Sequence, residues 1–373
     1  MQSILVYGLM LLVSIFLANK AKTTGDRRFV FLIILVLTFV CGCRAPSVGN
    51  DSQGYYDIYQ GFINGINNMY SEMEEGYAYL CRALVKIYPS PQFVFIAVAF
   101  LTYFFAINRL WEMRDIADFD WAIAGFLVSF QFFIQSGMRQ ALSLSIVFWA
   151  ARYLGQKKYF RYLCWVLLAS TIHRTSIVAA INVLFEIRHW RKLDIKKQLF
   201  LVLYVCMLPV AMYVLLINFN FERYTEHFGL ELSMGLSVYV EAVFVFFSFV
   251  AYLYYEVSKW GDGRIYAKKL GTDVDRPSLD TISIKSKLNW VRWQYIIGLC
   301  VGIVGYASST LGRMKHIWYW HQPVFMGMLT RSKKNALVFK LVIIVFYSYM
   351  CIGTLRKNGY LQLPYLFFWQ STP

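Results

Sequence analysis

Apolar runs of about 20 residues recur along the whole chain with only short polar breaks between them, and no other feature restricts its folding as much. A helix rises about 1.5 Å per residue, so each run can cross a hydrocarbon core of roughly 30 Å with its backbone hydrogen bonds closed internally. With 58% hydrophobic and only 16% charged residues, the chain lacks the polar surface of ordinary soluble domains. The expected fold class is an all-α polytopic membrane protein of about 10–12 transmembrane helices. Residues 1–373 then form a single multi-pass domain. The first run, ILVYGLMLLVSIFLA, has no basic flank before it and no small-residue cleavage site after it, and reads as a retained span.

The formal net charge of +16 does not point to nucleic acid, because the lysines and arginines sit in short loops between apolar runs. There they act as topology signals that stay in the cytoplasm. Basic KAKTTGDRR at 20–28 is therefore placed inside, span 28–43 runs outward, and residues 44–90 form an outer loop. Within that loop, the short aromatic stretch GYAYLCRALVKIY at 76–88 reads as an interfacial helix ended by Pro89 and Pro91. Spans at 91–109, 120–136 and 139–154 follow. Further along come spans 199–217 and 234–256 around an outer loop at 218–233, then a cytoplasmic loop at 257–289. Spans 290–311, 316–330 and 336–355 lead to an outer tail at 356–373, whose aromatics belong at the headgroups.

The segment 161–186 is flanked on both sides by basic loops, KKYFR and IRHWRKLDIKK, so the chain has to turn round within it. Its polar break is STIHRTS at 170–176. A re-entrant pair of short helices would lift His173 and Arg174 to the depth of Arg139, and irregular backbone there requires protein or water around it. Two full spans with an unusual topology fit the same hydropathy. The seven cysteines are scattered, mostly through apolar runs, with no metal-ligand spacing. Neither a metal nor another cofactor is expected.

Arg44, Arg139, His173, Arg174 and Arg313 come from separate stretches and all fall near the outer boundary in this topology. Each has a plainer reading. Arg139 and Arg313 could be snorkelling anchors, Arg44 an interfacial residue, His173 a packed turn residue, and Asp51 and Asp57 loop charges. Against the plain reading, Arg139 opens a helix just after Gly137, where a cation opposes the helix dipole. Convergent arginines at a membrane surface suit a lipid diphosphate, because the guanidinium fork matches phosphate oxygens two at a time. If a bond to that diphosphate breaks, the same arginines stabilise the leaving charge and no metal is required. Neutral imidazole at His173 is a competent base for an attacking hydroxyl.

The run FFIQSGMRQALSLSIVFWAARYLGQKKYFRYLCWVLLASTIHRTSIV resembles the signature of the EpsG/Wzy-type polysaccharide polymerases. The shared elements are Gly137 and Arg139 opening a helix, a basic KKYF turn, Ala169-Ser170, and His173 with a small hydroxyl residue after it. CRAPSVGNDSQGYYDIY, GRMKHIWYW and PYLFFW are similar to further parts of the family pattern. Arg174 stands where a proline or neutral residue is commoner.

The resemblance implies an enzyme of the bacterial inner (cytoplasmic) membrane, with its active site facing the periplasm. It would join oligosaccharide repeat units carried on undecaprenyl diphosphate, as in O-antigen, lipopolysaccharide or exopolysaccharide synthesis. A flippase and a chain-length regulator of the same pathway are the implied protein partners, beside the bilayer and the lipid-linked substrate. By this reading Arg139 and Arg313 hold the leaving diphosphate, Arg44 and Arg174 help bind it, and His173 accepts the acceptor's proton, with Asp51 as competing base. Tyr55, Asp57 and Tyr319 would contact the glycan. A glycan ligase uses the same donor at the same face. A flippase would line a path through the whole membrane, and an O-acyltransferase would present its histidine to the cytoplasm.

Overall fold

The computed structural model describes residues 2–66, 73–187, 314–331, 337–345 and 364–370, with short helical pieces within 287–302 and 347–352. Arg313, spans 199–217 and 234–256, loop 218–233, nearly all of loop 257–289 and the tail before residue 364 lie outside the described residues. Every regular element among the described residues is helical, apart from one antiparallel bridge between Arg44 and Phe367. The chain forms two compact units, residues 1–179 with 326–373, and residues 180–325.

Helix α1 (Gln2–Thr24) ends at Gly25, whose φ of +73° is open to a residue without a Cβ, and its N–H returns to Ala21 O at 2.8 Å. Asp26 then caps α2 (Arg27–Gly42) by accepting from the Arg28 N–H at 2.8 Å, so a two-residue turn, Gly25-Asp26, joins the helices. Next come α3 (Ser52–Ile63) and α4 (Glu75–Ile87) in the expected outer loop. Pro91 opens α5 (Pro91–Glu112), which is followed by α6 (Phe119–Ser136) and α7 (Met138–Ala150). After the short α8 (Arg152–Gly155), α9 (Tyr159–Ile172) ends at His173, a 3₁₀ turn runs Arg174–Ala180, and α10 covers Ile181–Ile187.

The packing of α1 is inside out by the standard of water-soluble helices. Ser14, Ala18 and Ala21 are fully buried, while Leu5, Leu12 and Phe16 point outward, each more than half exposed. Small residues let helix backbones approach, and leucines turned outward suit a hydrocarbon solvent. α1 packs on α2 and α6, and α2 on α5, which packs in turn on α7.

The polar contacts of the first unit collect at two ends. At one, Lys22 pairs with Asp118 at 2.9 Å and Asp120 at 3.1 Å, Arg152 pairs with Glu112 at 2.6 Å, and Arg331 reaches the carbonyls of Arg114 and Asp115. At the other, Asn50 bonds Ser136, and residues 364–370 return to the start of the outer loop. There Ala45 N–H donates to Leu366 O at 2.8 Å, Phe368 N–H to Cys43 O at 3.0 Å, and the Tyr365 hydroxyl to Val40 O at 2.6 Å.

Three features of the fold refine the reading of the sequence. By length and composition, α1 and α5 are the described helices apolar enough to cross a bilayer alone, so the chain is all-helical without 10–12 long spans being on view. The expected span at 316–330 is broken into α11 (His316–Tyr319) and α12 (Gln322–Thr330). Pro323 has no N–H to give the preceding turn, which accounts for the break. The 161–186 segment does double back, because the Tyr162 hydroxyl donates to Ala179 O at 2.9 Å. Ser143 of α7 pins the hairpin by donating to Ala169 O at 3.0 Å and meeting the Ser176 hydroxyl.

Candidate functional site

Three elements bring charged side chains together at the end that carries the 44–90 loop. Arg139 is in the first turn of α7 because Gly137, at φ −95° and ψ 56°, ends α6 and starts α7 anew. His173 is extended at φ −152° and ψ 113°, the residue at which α9 stops and the hairpin turns. Glu74 stands at the head of α4, itself extended at φ −61° and ψ 132°.

The Glu74 carboxylate is the centre of the group. Its Oε2 accepts from Arg139 Nη1 at 2.6 Å, and its Oε1 accepts from the Arg174 N–H at 3.1 Å. His173 Nδ1 lies 3.3 Å from the same Oε1, close enough to pair but off the line of a hydrogen bond. Arg139 Nε donates to the Tyr55 hydroxyl at 3.4 Å, and its guanidinium lies 5.9 Å from the centre of that ring. Among the described residues Arg139 Nη2 has no partner, and the Arg174 side chain is exposed. Burial works to raise the Glu74 carboxyl, but His173, the Arg174 N–H, its own N–H and the Arg139 charge together hold it lowered to about 2. Glu74 is thus an anion at any physiological pH and accepts hydrogen bonds only.

Arg44 takes a different place. It is 1% exposed, its Nε donates to Val48 O at 3.0 Å, and Nη2 donates to Gln135 O at 2.7 Å and Ser52 Oγ at 3.1 Å. Nη1 goes to Cys41, and the Phe95 ring lies 4.8 Å away. Those partners account for its five donors, so Arg44 folds the first outer loop onto α6 and does not join the Glu74 cluster. Asp51 precedes α3, exposed and without a capping bond, and Asp57 accepts from Gln53 Nε2 at 2.9 Å on the same helix. Tyr55 touches Arg139 and so reaches the cluster. Tyr319 belongs to the other unit, where Lys315 Nζ is 5.3 Å from its ring and a Cβ at Gly302 would lie 2.8 Å from its hydroxyl.

The sequence brings Arg139, His173 and Arg174 to one depth, but Glu74 reads there as one of several charges in an acidic loop. Its available signal is position: a carboxylate directly before an amphipathic outer helix, at the end expected to hold Arg139, His173 and Arg174.

Leucines of α1 turn outward, and an arginine, a histidine and a carboxylate gather at one end of the first unit. The model of the EpsG family matches residues 27–367, and the chain belongs to that family. This is a Wzy-type polymerase-like family, and membership carries a membrane polysaccharide polymerase type of function. No curated protein and no solved structure matches the chain.

Proposed function

We propose that the protein polymerises oligosaccharide repeat units at the periplasmic face of the bacterial inner membrane, using a growing glycan carried on undecaprenyl diphosphate as donor. The observation that supports this most is the convergence of the Arg139 side chain, His173 and the Arg174 N–H on the Glu74 carboxylate, with Arg139 still offering an unpartnered Nη2 among the described residues. A hydroxyl of the incoming lipid-linked unit attacks the anomeric carbon of the donor glycan. The carbon–oxygen bond to the diphosphate breaks, the polyprenyl diphosphate leaves with the electron pair, and the hydroxyl proton passes to His173. Arg139 and Arg174 stabilise the charge that develops on the leaving oxygen, and Arg313 remains a candidate for the same work. Guanidinium groups can meet this demand without a metal. Tyr55, which touches Arg139, and Asp57 on the same helix would contact the glycan, Asp51 would be the competing base, and Tyr319 a second glycan contact. A flippase would deliver the substrate and a chain-length regulator would act on the product.

The test is the size profile of surface glycan in a deletion strain complemented with wild type, Arg139→Ala or Arg139→Lys. Loss of one such donor is expected to slow transfer roughly 10²–10³-fold, collapsing the ladder to single repeat units. Arg139→Lys should also shorten the ladder, since ammonium cannot bridge two phosphate oxygens. Disappearance of every band, single units included, would instead assign the protein to ligation or export.

A further inference from the structure

We infer that Glu74 is a positioning residue that sets the proton acceptor and the phosphate clamp in one frame; the inference rests on the function proposed above. Its two carboxylate oxygens are divided between the two jobs. Oε2 holds Arg139 Nη1 at 2.6 Å, while Oε1 faces His173 Nδ1 at 3.3 Å and is itself fixed by the Arg174 N–H at 3.1 Å. With both oxygens pinned from different elements, the carboxylate cannot turn to favour one partner over the other.

An ionised carboxylate beside Nδ1 keeps the imidazole proton on that nitrogen, because the carboxylate can only accept. Nε2 then carries the lone pair and is the atom available to a substrate hydroxyl. The present Nδ1 contact is long and poorly aligned, a common state of catalytic hydrogen bonds before substrate tightens them. What keeps the two groups in reach is a backbone seat. Gly76, two residues after Glu74, lies against Thr171, two residues before His173, and a Cβ there would come within 2.7 Å of the Thr171 carbonyl oxygen. Side-chain substitution of Glu74 leaves that seat in place, so the effect of the carboxylate can be separated from the docking of α4.

The experiment uses the full chain in lipid nanodiscs with ¹⁵N-labelled histidine. The chain has five histidines, so a His173→Gln sample identifies the relevant signal. At a pH above about 8, where ordinary imidazoles are neutral, nitrogen shifts report the tautomer. Wild type is expected to show the Nδ1–H form at His173, and Glu74→Ala a mixture with the Nε2–H form. In the complemented strain Glu74→Ala should lose the ladder above the single unit, a loss up to roughly 10²–10⁴-fold if the base is disabled. Should Glu74→Ala not accumulate, Glu74→Gln serves, because its one acceptor oxygen goes to the fixed cation Arg139 and leaves His173 unheld. An unchanged tautomer in an accumulating variant overturns the positioning role, whatever the ladder shows. A changed tautomer with a full ladder leaves the contact standing and overturns the catalytic role of His173 on which the inference is built.

Discussion

At the scale of single residues, the division of labour between the two buried-end arginines is the main result. Arg44 spends its whole guanidinium on carbonyls, a hydroxyl and a thiol of its own fold, whereas Arg139 gives Nη1 to Glu74 and Nε to Tyr55 and keeps Nη2 without a partner among the described residues. Sequence places both arginines at the same boundary and cannot distinguish them, since the difference lies in the Gln135 and Val48 carbonyls that happen to face Arg44. Glu74 is illegible for the related reason that Glu72, Glu74 and Glu75 look alike until the chain turns one of them back. Its ionisation gives a testable consequence. The carboxyl has an ordinary value of 4.5 and is lowered to about 2 in the folded protein. A lowered folded value contributes stability that is complete above the unfolded value and is lost as pH falls through the folded one. Thermal unfolding in detergent should therefore show wild type losing more of its stability than Glu74→Gln as pH drops from about 5 to about 2. Parallel decline of the two proteins would show that the pairing contributes nothing to the fold.

At the scale of elements, hydropathy and turn chemistry located most helix ends. Spans expected at 28–43, 91–109 and 120–136 appear as Arg27–Gly42, Pro91–Glu112 and Phe119–Ser136, and the outer helix expected at 76–88 as Glu75–Ile87. The signals are local ones: the Gly25-Asp26 pair, Pro91, and Gly137. Two expected spans are broken: 139–154 into α7 and the short α8 at Ala151, and 316–330, whose apolar composition is continuous and where Pro323 interrupts the ladder. The contact of α4 with α9 is beyond sequence altogether, since it depends on Gly76 meeting Thr171 across 95 residues of chain. Gly76→Ala has to force those backbones apart, at a cost of about 1–3 kcal/mol. The expected result is a lower melting temperature together with loss of polymer even though every charged side chain is retained. Normal melting with a full ladder would mean that the α4–α9 seat does not govern the site.

At the scale of the whole molecule, the two ends of the first unit carry different polar contacts, and the proposed periplasmic site assigns each end to one side of the membrane. A cysteine replacing Asn50, beside Ser136, should react with an impermeant thiol reagent in intact cells, and one replacing Asp26 only after permeabilisation. The exposed Cys164 has to be changed to serine beforehand. Equal labelling of both positions would remove the proposed sidedness. The bridge between the first outer loop and residues 364–370 has a consequence of a different kind, one of timing. Tyr365 bonds Val40 from 325 residues further along the chain. At about 5–20 residues per second, a ribosome needs roughly 15–65 s to make that interval. During that interval the loop holding Arg44 lacks its bonds to residues 364–370, so this bridge closes long after the loop itself has been made.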